Sequence, residues 1–276
     1  MTVLELFRYC KDEMSFTDSP EFDTICIFED LLGISKSKIY FNDNVVTDEQ
    51  IKIAKEAINH RKKGEPLQYI LGKWDFYDLT FYVGEGVLIP RPETETLVDF
   101  ALEKIKDIEL PVIYDLCAGS GCIGLTIAYH RKDAKVYLLE KEEAALKYLK
   151  SNKEKYNLDN AQIIQGDLFN IDFSQIPQAN VILSNPPYIP ASEIKCLQKE
   201  VQFEPVTALD GGIDGLDFYR CIAQKWISQV KKGGYVALEC GEEQSVDIIS
   251  LFSGKYSEKQ VIYDFNNIDR IVTFGI

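Results

Sequence analysis

Apolar positions follow a helical period over residues 2–63 and then give way to short strand-like runs, and this change divides the chain. In the first part, Ser19-Pro20 predicts a helix start running to about Leu32 and stopping at Gly33. Thr47-Asp-Glu-Gln50 has the form of a capping box, with Ile51, Ala54 and Ile58 on one face behind it and Gly64 as the stop. Two alternating, aromatic-rich segments follow, Trp74–Tyr77 and Leu79–Val83, and Gly84 and Gly86 suggest a turn, so a β-hairpin is expected. Thr96–Lys106 is amphipathic and helical. From Pro111 onward strands and helices alternate, with strands expected at 112–116, 135–140, 161–165, 180–184 and 235–240, and helices at 122–130, 142–156, 216–230 and 242–252. Strands at 259–264 and 268–274, with Asn266-Asn267 between them, read as a closing antiparallel hairpin. The expected fold is α/β, a doubly wound, mostly parallel seven-stranded sheet. Residues 1–72 form a small helical domain, 73–95 a hairpin linker and 96–276 the sheet domain.

Composition narrows the class. The chain has 276 residues, 46% of them hydrophobic, enough for a real core, and no apolar run nears the ~18 residues of a membrane span. Its start lacks a basic leader followed by an apolar block, so no signal peptide is expected. Seven cysteines without Cys-x-x-Cys spacing and only His60 and His130 argue against a disulfide scaffold or a metal centre. A reduced, cytoplasmic setting is expected. The net charge of −14 disfavours broad nucleic-acid binding and suits a basic protein partner or a cationic small molecule. The basic run His60-Arg-Lys-Lys63 fits either a helix C-terminal dipole, the favoured reading, or a docking patch.

The chemistry is expected at Ser184-Asn185-Pro186-Pro187-Tyr188, at the carboxyl end of a buried strand, where open α/β sheets place ligands. Two prolines stiffen the loop and remove two N–H donors. Asn185 adds a side-chain acceptor and Tyr188 a flat aromatic face. Together they suit a planar NH2–C=X group, a carboxamide or a base amine, whose delocalised lone pair needs help to attack an electrophile. The alternative is a stiff structural turn with Asn185 in an Asx turn.

Gly119, Gly121 and Gly124 follow a strand and open a helix, and Glu140 ends the next strand, where a carboxylate can accept ribose hydroxyls. A nicotinamide-dependent dehydrogenase would share that spacing. S-adenosylmethionine is favoured by Asp115, a charge suited to a sulfonium and an amino-acid moiety but not to a pyrophosphate. Asp167 supports it too, placed to accept from an adenine amine with Leu168 against the ring; its alternative is a helix cap. Cys117 and Cys122 are expected as small loop and core residues. The rigid Ile89-Pro-Arg-Pro-Glu-Thr-Glu95 is either a linker with a helix start or a segment over the cleft.

The chain resembles the bacterial-type release-factor glutamine methyltransferases over nearly its whole length. The resemblance rests on Glu65-Pro-Leu-Gln-Tyr-Ile-Leu-Gly72, Val87-Leu-Ile-Pro-Arg-Pro-Glu-Thr-Glu95, Asp115-Leu-Cys-Ala-Gly-Ser-Gly121, Ser184-Asn-Pro-Pro-Tyr-Ile189, Phe203-Glu-Pro205 and Gly212-Ile-Asp-Gly-Leu216. Glu140 stands where that family usually has Asp, and Cys117-Ala118 where it has Gly-Thr. The resemblance implies S-adenosylmethionine as donor and, as acceptor, the glutamine of the Gly-Gly-Gln tripeptide in class I peptide chain release factors. It also implies an N-terminal domain that helps hold the partner; from the acidic balance and the lack of a long apolar run, no stable nucleic acid and no membrane are expected.

Asn185, Pro186 and Tyr188 are the expected catalytic residues, and with Pro187 they form the substrate side. Asp115, Cys117, Ala118, Gly119, Ser120, Gly121, Glu140, Asp167, Leu168 and Asn185 form the cofactor side. The rival readings are an N6-adenine methyltransferase of DNA or RNA, which would flip its base onto Tyr188, and a non-catalytic module binding a translation factor.

Overall fold

The structure, a computed structural model, describes residues 1–41, 44–264 and 266–276. It separates into two compact units, Met1–Lys73 with Gln198–Phe203, and Trp74–Leu197 with Glu204–Ile276.

The first unit is helical: α1 Val3–Glu13, α2 Pro20–Asp30, α3 Lys36–Phe41, α4 Asp48–Lys62 and α5 Leu67–Leu71. The capping box at Thr47 forms in both halves, Gln50 N–H donating to Thr47 Oγ1 and Gln50 Oε1 accepting from Thr47 N–H. Ser19 precedes α2 without a side-chain cap bond, so Pro20 at the first turn sets that start. Leu6, Phe7, Ile27, Phe28, Ile39, Ala54 and Ile58 are buried as its core. Much of the basic run at the end of α4 is spent locally. Arg61 is 4% exposed and donates to Asp23 and Glu200, His60 meets Glu65, and Lys62 pairs with Glu13.

The second unit opens, from Trp74, within a two-stranded sheet of β1 Lys73–Phe76 and β2 Leu79–Tyr82. The two strands are joined at Tyr77-Asp78, Tyr77 taking φ 60. Gly84 and Gly86 form the turn expected from them, after β2, packed on Tyr148 and Ala144. Then come α6 Glu95–Ile105, β3 Val112–Leu116, α7 Cys122–His130, β4 Lys135–Glu140, α8 Glu143–Lys155, β5 Ala161–Gln165 and β6 Ala179–Ser184. They are followed by α9 Asp217–Gln224, β7 Val230–Glu239, α10 Ser245–Leu251, β8 Glu258–Tyr263 and β9 Asp269–Gly275. The main sheet has seven strands in the order β5-β4-β3-β6-β7-β9-β8, parallel except at β9.

Strand alternation places successive side chains on opposite faces, and each face buries its own core. Ile113, Val136, Leu138, Val181, Leu183 and Ala237 lie on one side. Tyr114, Leu116, Ile182, Val236 and Leu238 lie on the other. With β3 flanked by β4 and β6, the order reverses between β3 and β6. The loops leaving their carboxyl ends meet there, which is where doubly wound sheets bind ligands. Expected and observed strands agree closely. The expected helix over 216–230 breaks, α9 ending at Gln224 and a 3-10 turn covering Trp226–Gln229, because Val230 is taken as a strand residue paired with Ala179.

Candidate active site

At this reversal lies a cavity of about 310 Å³, a volume suited to a small-molecule ligand. Cys117, Ala118, Gly119 and Ser120 line it from the loop after β3, and Glu140, Lys141 and Glu142 from the end of β4. Asp167, Leu168 and Phe169 follow β5, and Asn185 and Pro187 follow β6. Leu88, Pro90, Arg91 and Thr94 close it from the proline-rich segment, which is therefore part of the cleft wall and not only a linker. Nine of the expected site residues thus share one wall. Asp115, Gly121, Pro186 and Tyr188 are not among the lining residues.

Local chemistry explains the wall. Gly121 takes φ 84, and a side chain there would overlap Leu149; a Cβ on Gly124 would lie 2.9 Å from Asp115 Oδ2. Helix α7 can therefore begin tight against β3. Asp115 is fully buried beneath this junction, Oδ2 accepting from Gly124 N–H at 2.8 Å. Cys117 holds φ 61, a region in which glycine is unstrained, and Ala118 N–H donates to Leu139 O. Buried Asn152 of α8 donates to Ser120 O and to Tyr82 O, fastening the loop from behind. Glu140 accepts from Gly119 N–H at 2.7 Å through Oε2, and from Lys141 and Glu142 N–H through Oε1. Burial raises its pKa and those three N–H groups oppose the rise. Asp167 accepts from Phe169 N–H, which leads in lowering its pKa, and its Oδ2 lies 3.3 Å from Lys141 Nζ.

Ser184 Oγ donates to Leu116 O at 2.6 Å, tying the end of β6 to that of β3 just before Asn185. The Asn185 side chain makes no Asx turn: its Nδ2 donates to Thr94 Oγ1 at 3.2 Å, and Thr94 Oγ1 donates to Glu239 Oε2 at 2.6 Å. Glu239 is 4% exposed, and burial pushes its carboxyl up to about 7 against the pull of the Thr94 bond. Asn185 Oδ1 and the Pro186 carbonyl accept no hydrogen bond from the described residues. Tyr188 is half-buried in the core of the α9 and α10 face, its carbonyl accepting from Gln244 Nε2. It braces the loop from behind.

Sequence reasoning held Thr94 and Glu204 only as members of resemblance motifs, without a role, and did not single out Glu239 or Asn152. Glu204, 3% exposed, accepts from Ile89 N–H at 3.0 Å and pairs with Arg91, pinning the proline-rich segment at the cavity. For Glu239, the available signal was a carboxylate closing the apolar run Tyr235–Leu238, at the strand's ligand-facing end.

Comparison with known proteins places the chain. A family model described as PrmC N-terminal domain matches residues 5–72, and one described as Methyltransferase small domain matches residues 95–201. The release factor glutamine methyltransferase of Thermodesulfovibrio yellowstonii is 39% identical, over 99% of this chain and 97% of that protein. The chain belongs to the release factor glutamine methyltransferase family. Its Clostridium acetobutylicum relative is 36% identical over 87% of this chain and 86% of that one. Among solved structures, the hMettl16 catalytic domain in complex with MAT2A 3'UTR hairpin 1 covers 94% of this chain and 93% of its own. Its TM-score is 0.59 at 12% identity, a likeness of fold alone.

In this family member the buried Asp115 makes a pH-dependent contribution to stability. Burial, foremost, pushes its carboxyl from 3.8 up to about 7. The folded state then holds a proton that the unfolded chain releases, so this contribution falls as pH rises from ~4 to ~7. Relative to wild type, Asp115→Asn should therefore become more stable across that window, by up to ~1.4 kcal/mol per pH unit. Urea midpoints at several pH values test this; parallel curves for the two proteins would contradict it.

Proposed function

We propose that this protein transfers a methyl group from S-adenosylmethionine to the side-chain amide nitrogen of the glutamine in the Gly-Gly-Gln motif of class I peptide chain release factors. The observation that carries this reading is the Asn185 carboxamide at the cavity wall, its Nδ2 committed to Thr94 and its Oδ1 unspent. The names of the relatives agree with it.

The residues present fit the cofactor. The lining holds four carboxylates, Glu140, Glu142, Asp167 and Asp210, against the cations Arg91 and Lys141, a balance suited to a sulfonium and an ammonium and hostile to a pyrophosphate. Ser120 Oγ is buried in the lining without a hydrogen-bond partner among the described residues, an atom that a polar ligand would satisfy. Glu140 uses three acceptor positions on backbone N–H groups and keeps capacity for a ribose hydroxyl. Cys117, Ala118 and Gly119 bring backbone close to the ligand, Leu168 offers an apolar wall for a base, and Asp167 an acceptor beside it. Asp115 and Gly121 act from behind by shaping the loop.

When bound, the cofactor supplies an electrophilic methyl group on sulfur. Asn185 Oδ1 and the Pro186 carbonyl accept the two hydrogens of the substrate amide, which returns density to its nitrogen and aims it for in-line attack. The methyl would pass to the amide nitrogen in place of its bond to the donor sulfur, which would be released as a thioether, and the surplus proton would then go to water. Most of the acceleration comes from positioning, worth up to ~7–11 kcal/mol in well-oriented reactions. Residues 1–72 hold the partner, 73–95 link and 96–276 carry the chemistry, in a cytoplasmic setting and without stable nucleic-acid binding.

Incubation with methyl-labelled S-adenosylmethionine tests the reading. A class I release factor should acquire label on its Gly-Gly-Gln glutamine, while duplex DNA and ribosomal RNA stay unlabelled. Label on adenine with the glutamine untouched would overturn it.

A further inference from the structure

We propose that Glu239 is a positioning residue for methyl transfer, acting through the Thr94 hydroxyl to decide which edge of the Asn185 carboxamide faces the acceptor. The inference rests on the reading of Asn185 as the group that receives the substrate amide, and adds what orients it.

Three groups from distant parts of the chain form one line. Asn185 leaves the end of β6, Thr94 stands at the turn before α6, and Glu239 is the last residue of β7. The distances are 3.2 Å from Asn185 Nδ2 to Thr94 Oγ1 and 2.6 Å from Thr94 Oγ1 to Glu239 Oε2. Thr94 is 1% exposed and Glu239 4%, so water does not substitute freely for either partner.

Hydrogen-bond polarity makes the line directional. An ionised carboxylate only accepts, and a threonine hydroxyl has one proton to give. Once that proton is directed at Glu239, Thr94 offers Asn185 only lone pairs. The NH2 edge of the carboxamide satisfies them; the carbonyl edge would set acceptor against acceptor. Oδ1 is thereby turned away from Thr94 and left free. Without the carboxylate, Thr94 could donate to Oδ1 and the amide could turn over. An NH2 edge would then meet the NH2 of the incoming glutamine, donor against donor. Burial, foremost, and Glu93 oppose the charged form of Glu239, while the Thr94 bond, Arg270 and Arg91 favour it; the line has this polarity where the carboxylate is ionised. A carboxylate kept in so dry a place, with a single hydroxyl donating to its side chain among the described residues, is poorly explained by stability alone.

Four variants test the relay: Thr94→Val, Thr94→Ser, Glu239→Gln and Asn185→Ala. Thr94→Val keeps shape and removes the hydroxyl. Turnover on a release factor is expected to fall ~10²-fold, the scale of a misplaced reacting group, with KM for S-adenosylmethionine within about twofold of wild type. Thr94→Ser, which keeps the hydroxyl, should recover most of that loss. Glu239→Gln, able to offer Thr94 either an acceptor or a donor, should fall in the same direction by less. Calorimetric titration with S-adenosylmethionine identifies the folded variants. Should Thr94→Val fail to fold, the comparison of Thr94→Ser with Glu239→Gln decides: near-normal turnover in the first and a clear loss in the second support the relay. Wild-type turnover in Thr94→Val, or in Glu239→Gln, while Asn185→Ala is inactive overturns the relay and leaves the reading of Asn185 standing. Wild-type turnover in Asn185→Ala removes that reading itself.

Discussion

Asn185→Ala should lower turnover on a release factor ~10²–10³-fold, the usual loss when one preorganised polar contact at a reacting centre is removed. Cofactor affinity should change little. The loop containing Asn185 would stay in place, because its position comes from elsewhere: Ser184 Oγ is fastened to Leu116 O, Pro186 and Pro187 are buried, and the Tyr188 carbonyl is held by Gln244. What is lost is one of two acceptors for the substrate amide, so the defect belongs in kcat. Asn185→Asp separates position from polarity. It retains an oxygen toward the cleft, but its second oxygen would face the lone pairs of Thr94, whose proton is directed at Glu239. The added charge attracts a sulfonium, so cofactor binding should be at least as tight as in wild type while methylation remains poor. Rates under saturating cofactor, with calorimetric affinities alongside, separate the two effects. Near-normal turnover by Asn185→Ala would reduce Asn185 to a turn residue and move the chemistry elsewhere.

The sheet was legible because its signals are local and redundant. Each parallel strand is a short β-branched or apolar run between turn residues, and all seven are observed within a few residues of where they are expected. The place of the glycine loop and Glu140 at the cavity was legible for a related reason, since a glycine loop between strand and helix is a local demand of the backbone. What escaped was pairing at long range. Nothing near Thr94 in sequence announces that its hydroxyl meets Glu239, 145 positions away, or that Glu204 closes on Ile89 across 115. The turn at Gly84 and Gly86 was legible from its glycines, which also allow the close approach of Tyr148 and Ala144, whereas the tighter reversal at Tyr77-Asp78 has no glycine to announce it. The helix expected over 216–230 was cut short by a competing pairing, Val230 with Ala179, that only the assembled sheet reveals.

Trp226, on the short turn left by that interruption, should be the most costly single truncation in the sheet unit. It is fully buried, edge-on to Phe173 at 4.9 Å and to Tyr114 at 5.8 Å between ring centres. Trp226→Ala is expected to lose ~3–5 kcal/mol, the range for removing a buried aromatic. In a domain of this size that lowers the melting temperature by ~2–4 °C per kcal/mol. The indole also has a second task. Its Nε1 donates to Leu168 O at 3.1 Å, the carbonyl of a residue in the cavity wall, and the other donor to that oxygen is the Cys221 thiol at 3.5 Å. Trp226→Phe keeps most of the ring packing and removes only this bond. Leaving a buried carbonyl so weakly paired should cost ~1–3 kcal/mol. Part of that should appear as looser S-adenosylmethionine binding, because Asp167 and Leu168 move with the freed carbonyl. Thermal unfolding of wild type, Trp226→Phe and Trp226→Ala, each with and without saturating cofactor, distinguishes the two roles. The cofactor-induced rise in melting temperature should already shrink in Trp226→Phe. If that rise is unchanged while stability falls, Trp226 supports the core alone and the Leu168 carbonyl does not set the cofactor wall.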